Sequence, residues 1–108
     1  MPMEHENCPC METCPLNRAM ALIGGKWKMQ ILCSLYNNGP TRYNQLKKTL
    51  DGVSNTVLAN ALRELEGDGL VHRQEYLEVP VRVEYAITEP CRQLIPILDA
   101  LGDWSMDL

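Results

Sequence analysis

Apolar residues recur at helical spacing along most of this chain and switch to strict alternation in one short stretch. Leu16, Met20 and Ile23 share one face of a first helix. Pro15 opens it, since proline suits the first helical position, and Gly24-Gly25 ends it. Trp27, Ile31 and Leu35, with Leu32 beside them, predict a second helix from about Lys26 to Tyr36, stopped by Asn37-Asn38-Gly39-Pro40. A third helix takes Thr41 as its N-cap and turns Tyr43, Leu46 and Leu50 inward. After the Asp51-Gly52 turn, Ser54 caps a fourth helix with Leu58, Leu62 and Leu65 facing in, and Gly67-Asp68-Gly69 closes it. The period then changes. Val83, Tyr85 and Ile87 alternate with their neighbours, which predicts a half-buried strand paired with Leu70 to Tyr76. Pro80 keeps the connecting tip out of regular pairing. Thr88 caps a fifth helix striped by Leu94, Ile97, Leu98, Leu101 and Trp104, which Pro96 should kink or split.

A polar-faced helix followed at once by a hairpin is the layout of a winged helix-turn-helix. The predicted fold is therefore α+β, mainly α, with a two-stranded β-wing and a C-terminal dimerisation helix. Residues 14–108 form the predicted DNA-binding domain. Residues 1–13 are polar, contain Pro2 and Pro9, and show no apolar period, so they read as a flexible arm. A chain of 108 residues suffices for one domain and one core. No apolar run approaches the ~18 residues of a membrane span, and Met1 to Glu6 lack a secretion-signal profile. A cytoplasmic protein without a membrane partner is the expectation.

This layout makes double-stranded DNA the first partner to consider. The second helix of a helix-turn-helix pair enters the major groove with its N-terminal residues leading. With Leu58, Leu62 and Leu65 buried, Asn55, Thr56, Ala59, Asn60 and Arg63 point outward beside the capping Ser54. Asparagine can contact adenine bidentately, and Thr and Ala methyls suit the thymine methyl. Arg42, Lys47 and Lys48 on the third helix suit phosphates. Arg82, placed on the wing, suits a narrow minor groove or a phosphate. The bland alternative is a solvated helix face, since polar outer faces are the norm. The hairpin directly behind the helix favours DNA.

Net charge of −4 argues against DNA until its distribution is read. Residues 1–82 hold nine Lys/Arg and nine Asp/Glu; the excess lies in 83–108, where Arg92 faces Glu84, Glu89, Asp99, Asp103 and Asp107. A neutral head with an acidic distal end binds through local patches and holds nonspecific DNA weakly.

Four segments in unbroken order carry a family resemblance. They are Cys14-Pro15 with Ile23-Gly24-Gly25-Lys26-Trp27; Leu62-Arg63-Glu64-Leu65-Glu66; Asp68-Gly69-Leu70-Val71; and Val79-Pro80-Val81-Arg82-Val83-Glu84-Tyr85. Together they resemble the HxlR family of bacterial winged-helix transcription regulators, related to the MarR group, over roughly residues 14–102. The resemblance implies a homodimer on a palindromic operator, the fourth helix in the major groove, and the hairpin as the wing. It implies dimerisation through the first and fifth helices, which places Leu16, Met20, Leu94, Leu98, Leu101 and Trp104 at the interface. Independently, the fifth helix is apolar over more of its surface than one packing seam needs. Two departures stand out. Pro90-Cys91 replaces the Lys-Gly pair usual in the family, and Val81 replaces the second proline of Val-Pro-Pro-Arg.

Five cysteines are many for a small cytosolic domain, and an odd number argues against a disulfide framework. Cys14 precedes Pro15 at the start of a helix, where backbone N–H groups stabilise a thiolate. Some HxlR-type regulators use the matching cysteine to sense oxidants or electrophiles, so the resemblance implies that role here. A half-buried packing cysteine is the competing reading. Cys8, Cys10 and Cys14 spell C-x-C-x3-C, which invites zinc or copper(I) with His5, Cys33 or His72 as a fourth ligand. Equally, Cys8 or Cys10 could resolve an oxidised Cys14. Cys33, between Leu32 and Leu35, reads as core, and Cys91, in a first helical turn, as a low-pKa thiol without a nominated partner. Lys26 and Lys28 either reach phosphates or are solvated, Trp27 packs in the core or at the dimer, and His72 is a surface residue or a phosphate contact.

No catalytic constellation is present; Gly24-Gly25-Lys26 lacks the strand and the spaced first glycine of a phosphate loop. The expected function is a dimeric, sequence-specific DNA-binding regulator, a repressor, responding to redox or electrophiles through Cys14 and needing no cofactor. Two alternatives remain: a winged-helix interaction module without DNA, and a metal-responsive regulator built on the N-terminal cysteines.

Overall fold

The computed structural model describes residues 15–108. The elements run α1 (Pro15–Ile23), α2 (Lys26–Asn38), β1 (Thr41–Arg42), α3 (Tyr43–Thr49), α4 (Asn55–Gly67), β2 (Val71–Tyr76), β3 (Arg82–Ile87), α5 (Glu89–Arg92) and α6 (Ile95–Ser105). The predicted arm, and with it Cys8, Cys10 and Cys14, lies outside the described residues.

The core is aliphatic, as a chain without phenylalanine requires. Ile31, Leu32 and Leu35 of α2, Leu46 of α3, and Leu58, Leu62 and Leu65 of α4 are all essentially buried. Val71 and Ile87 close the cluster from the sheet, and Cys91 closes it from α5. The stripe predicted for α4 is buried, and so is that of α2 except for Trp27, which is half-buried.

Gly24 is dictated by space and Gly25 by conformation. A Cβ at Gly24 would collide with the Met20 carbonyl, to which the Gly24 N–H donates at 2.6 Å. Gly25 takes φ 99°, a region that favours glycine. The pair therefore lets α2 leave α1 abruptly.

β2 and β3 form the predicted antiparallel hairpin, in register from Val71 opposite Ile87 to Tyr76 opposite Arg82. A two-residue strand, β1, extends it to a three-stranded sheet of order β1-β3-β2. Thr41 is opposite Tyr85 and Arg42 opposite Glu84. This corrects the expectation for Thr41. It is a buried strand residue whose hydroxyl donates to the Gly39 carbonyl at 2.7 Å, and Arg42 takes the N-cap of α3 without a side-chain cap bond. Strand pairing with β3 outcompetes capping at this position.

The fifth helix is split. Thr88 caps α5 by accepting from the Cys91 N–H at 3.4 Å, and α6 restarts at Ile95 with Pro96 in its first turn. There the missing proline N–H costs nothing, whereas in an unbroken helix it would forfeit a hydrogen bond.

Two cysteine expectations are corrected. Cys33 is exposed, because α2 turns Ile31, Leu32, Ser34 and Leu35 inward instead. Cys91 is fully buried, and burial pushes its thiol up, with the nearby Cys33 adding to the shift. Desolvation thus overrides the helix N-terminus at Cys91.

Candidate nucleic-acid interface

α4 is the best-anchored element of the candidate site. Ser54 accepts from the Val57 N–H at 3.1 Å and fixes where the helix starts. The Tyr43 hydroxyl lies 3.1 Å from the Asn55 carbonyl and 3.2 Å from its Oδ1, and so pins the head of α4 to the start of α3. Val53, buried in the connection, holds the turn between them. With Leu58, Ala61, Leu62 and Leu65 packed inward, Asn55, Thr56, Asn60 and Arg63 are exposed and Ala59 is half-buried. The predicted outward residues therefore share one surface.

That surface is partly self-organised. Arg63 donates from Nη1 to Asn60 Oδ1 at 2.8 Å. A bidentate adenine contact by Asn60 would need this bond to be exchanged, so the two side chains act as a unit. Ser54 serves first as a cap, which leaves its hydroxyl less free for DNA than the sequence suggested.

Arg42 and Lys48 are exposed and Lys47 is half-buried. None of the three forms an ion pair with a carboxylate among the described residues. Lys47 and Lys48 occupy the last turn of α3, where the helix dipole favours cations. Lys28, by contrast, is committed. Its ammonium lies 2.7 Å from Glu64, whose carboxyl is held below its ordinary range by that hydrogen bond and charge. Lys26 lies over the Trp27 ring at 4.7 Å.

Between α4 and the hairpin lies a cleft of about 180 Å³ lined by Tyr43, Ala59, Leu62, Arg63, Glu66, Arg73 and Tyr85. Arg73 was not among the sequence candidates. Its position opposite Tyr85 in the hairpin register brings it beside Arg63, and its guanidinium is held charged by Tyr85. No hairpin register was readable in the sequence, so nothing there singled Arg73 out.

Arg82 lies on the wing, at the start of β3, and is bound to Glu78 and Glu84 at 3.0 and 3.3 Å. Exposed apolar side chains, Leu77, Val79 and Val81, form the tip itself.

The geometry is a helix-turn-helix followed by a wing, and the sequence comparison decides its lineage. The profile of the HxlR-like helix-turn-helix family matches residues 22–108. The chain belongs to that family. Among relatives of this HxlR-like protein is the HTH-type transcriptional regulator BH0655 of Halalkalibacterium halodurans, 42% identical over 92 residues, covering 85% of this chain and 81% of the relative. The solved structure of the HTH-type regulator ytcD superposes with a TM-score of 0.83 at 38% identity, over 87% of this chain and 95% of that one. The redox regulator HypR in its oxidised form superposes with a TM-score of 0.80 at 37% identity, over 88% and 97%. The HxlR-like protein is thus a helix-turn-helix transcriptional regulator and not an enzyme.

Two further helices carry exposed apolar side chains. Leu16 and Met20 of α1, and Ile97, Leu101 and Trp104 of α6, are each about half or more exposed. Leu94 and Leu98, predicted at the same surface, are half-buried and pack partly against the core. Among the described residues, no helix is long and apolar enough to cross a membrane. Among them also, no group of three His, Cys, Asp or Glu residues is placed to hold a metal. The C-x-C-x3-C cysteines lie outside the described residues.

Proposed function

We propose that this chain is a homodimeric repressor that reads a palindromic operator with α4 and changes its occupancy when Cys14 is oxidised or alkylated. The observation that carries the reading is the division of α4: Leu58, Ala61, Leu62 and Leu65 are buried, while Asn55, Thr56, Asn60 and Arg63 remain exposed. Ala59 and Ser54 complete the contact surface, and Arg42, Lys47 and Lys48 take flanking phosphates. Leu16, Met20, Leu101 and Trp104, with the outer edges of Leu94 and Leu98, cover one another across the dimer. A half-exposed tryptophan and leucine on one helix are costly in a monomer.

The thiol assignment draws support from the other cysteines. Cys91 is buried, and both it and Cys33 have thiols pushed up, Cys33 by partial desolvation and then by Asp99. Neither is a ready thiolate, which leaves the N-terminal cysteines to react. The redox regulator HypR is a structural neighbour of this chain. Joining Cys14 to a second thiol would release two electrons and two protons to the oxidant.

Fluorescence anisotropy on the DNA upstream of the protein's own gene, before and after a thiol oxidant, tests the reading. Tight, competitor-resistant binding that shifts on oxidation and becomes fixed in Cys14→Ser is expected. Oxidant response persisting in Cys14→Ser would remove Cys14 from the mechanism. The acidic balance of residues 83–108 favours one other reading, a winged-helix interaction module. Absence of specific binding to any DNA would support it.

A further inference from the structure

The wing carries more acid than base. From Val71 to Ile87 the cations are Arg73 and Arg82, and the anions are Glu75, Glu78 and Glu84. Phosphate repels such a hairpin unless its carboxylates are neutralised. Arg82 is where that neutralisation occurs. Its Nη2 lies 3.0 Å from Glu78, in the connection between the strands, and its Nη1 lies 3.3 Å from Glu84 of β3. Its guanidinium lies 4.0 Å above the ring of Tyr76, its register partner on β2. Nε is buried and has no hydrogen-bond partner. One side chain therefore joins β2, the tip and β3, with only 28% of its surface exposed.

A guanidinium in this setting is poorly placed to bind a phosphate. Each Nη already has a carboxylate partner, one face is covered by an aromatic ring, and Nε is closed off. Turning Arg82 toward DNA would break both ion pairs and leave Glu78 and Glu84 unneutralised beside the phosphates. The buried Nε is likewise closed to a phosphate. Exposed ion pairs are individually weak, but an arginine shared by two carboxylates and a ring is a small network.

We propose that Arg82 is a positioning residue, the clasp that fixes the shape of the wing and masks Glu78 and Glu84, and not a DNA contact. The proposal rests on the winged-helix reading of the interface and replaces the expectation that Arg82 reaches DNA. A clasp and a contact differ in two measurable ways. A phosphate contact lowers the salt slope of binding by about one when removed, whereas a clasp leaves the slope unchanged. A clasp also couples Arg82 to Glu84, so breaking either end does the same damage.

The test compares Arg82→Gln, Glu84→Gln and the double variant in operator binding between about 50 and 200 mM salt, with Asn60→Ala as a control. The expected result is a similar loss of about two- to fivefold in all three wing variants, with the wild-type salt slope. Amide exchange at Tyr76 and Glu84 in the DNA-free protein should rise in each. A salt slope lowered by about one in Arg82→Gln, tighter binding by Glu84→Gln, or unchanged exchange would each overturn the clasp. If Asn60→Ala weakens binding in that same experiment, the winged-helix reading survives the clasp's failure. If Asn60→Ala binds like wild type, the reading falls and takes the proposal with it.

Discussion

α4 and α6 are both amphipathic helices, but only α4 is complete within the described chain. α4 buries Leu58, Leu62 and Leu65 almost totally and shows solvent a mainly polar face, with Val57 as the apolar exception. α6 buries only Ile95 and leaves Ile97, Leu101 and Trp104 more than half exposed. An exposed polar face costs nothing to hydrate and is free to exchange water for base edges. An exposed apolar face gains free energy only when another surface covers it. The difference supports the proposal that α4 meets nucleic acid and α6 a second copy of the chain.

The strongest way to break this comparison is to charge the uncovered helix. Leu101→Glu should convert the dimer to a monomer in analytical ultracentrifugation and leave the fold intact. Operator affinity should fall at least ~100-fold, because the second half-site is no longer held at high effective concentration. A dimeric Leu101→Glu protein with normal affinity would mean that α6 is covered by something else.

Smaller changes on α4 sharpen the other side. Asn60→Ala or Thr56→Ala should each cost roughly 1–3 kcal/mol at the cognate site and relax base preference there. Asn60→Ala should also release Arg63, so Arg63→Ala on that background should cost less than alone, a coupling that a double-mutant cycle reads. Lys48→Ala should weaken all sequences alike and lower the salt slope by about one.

The smallest effect concerns α5, which links the two helices to one core. Cys91 should resist iodoacetamide at neutral pH and react only on unfolding. Its folded pKa is raised, so the contribution to stability is present at neutral pH and is lost as pH rises above the ordinary thiol range and through the raised value. Cys91→Ala should flatten that alkaline limb in thermal melts. Rapid labelling of the folded protein would show that α5, and with it α6, opens readily.

Long periodic elements were legible in the sequence, and contacts made across the fold were not. The stripes of α2 and α4 identify their buried faces because three or more leucines or isoleucines agree on each. Cys33 and Ser34 lie inside such a stripe, and a modest rotation of the helix decides which is buried; Ser34 is, accepting from Asn38 at 3.3 Å. β1 has only two residues and exists through pairing with β3, so no local pattern announces it. Pro96 marked the break in the last helix correctly, since its effect is covalent and local. Arg82 illustrates the limit at the interface. Its residue type and its place on the wing suggested a DNA contact, but Glu78, Glu84 and Tyr76 converge on it only once the hairpin has formed.

Selection of binding sites from a random pool of double-stranded DNA by the reduced, full-length protein tests α4 as the reading helix most directly. The expected result is enrichment of an inverted repeat whose half-sites are centred one helical turn apart, about 34–36 Å, with base preference in each half relaxed in Asn60→Ala. Recovery of no enriched sequence, or of a motif that is indifferent to Asn60→Ala, would contradict the assignment of α4 as the reading helix.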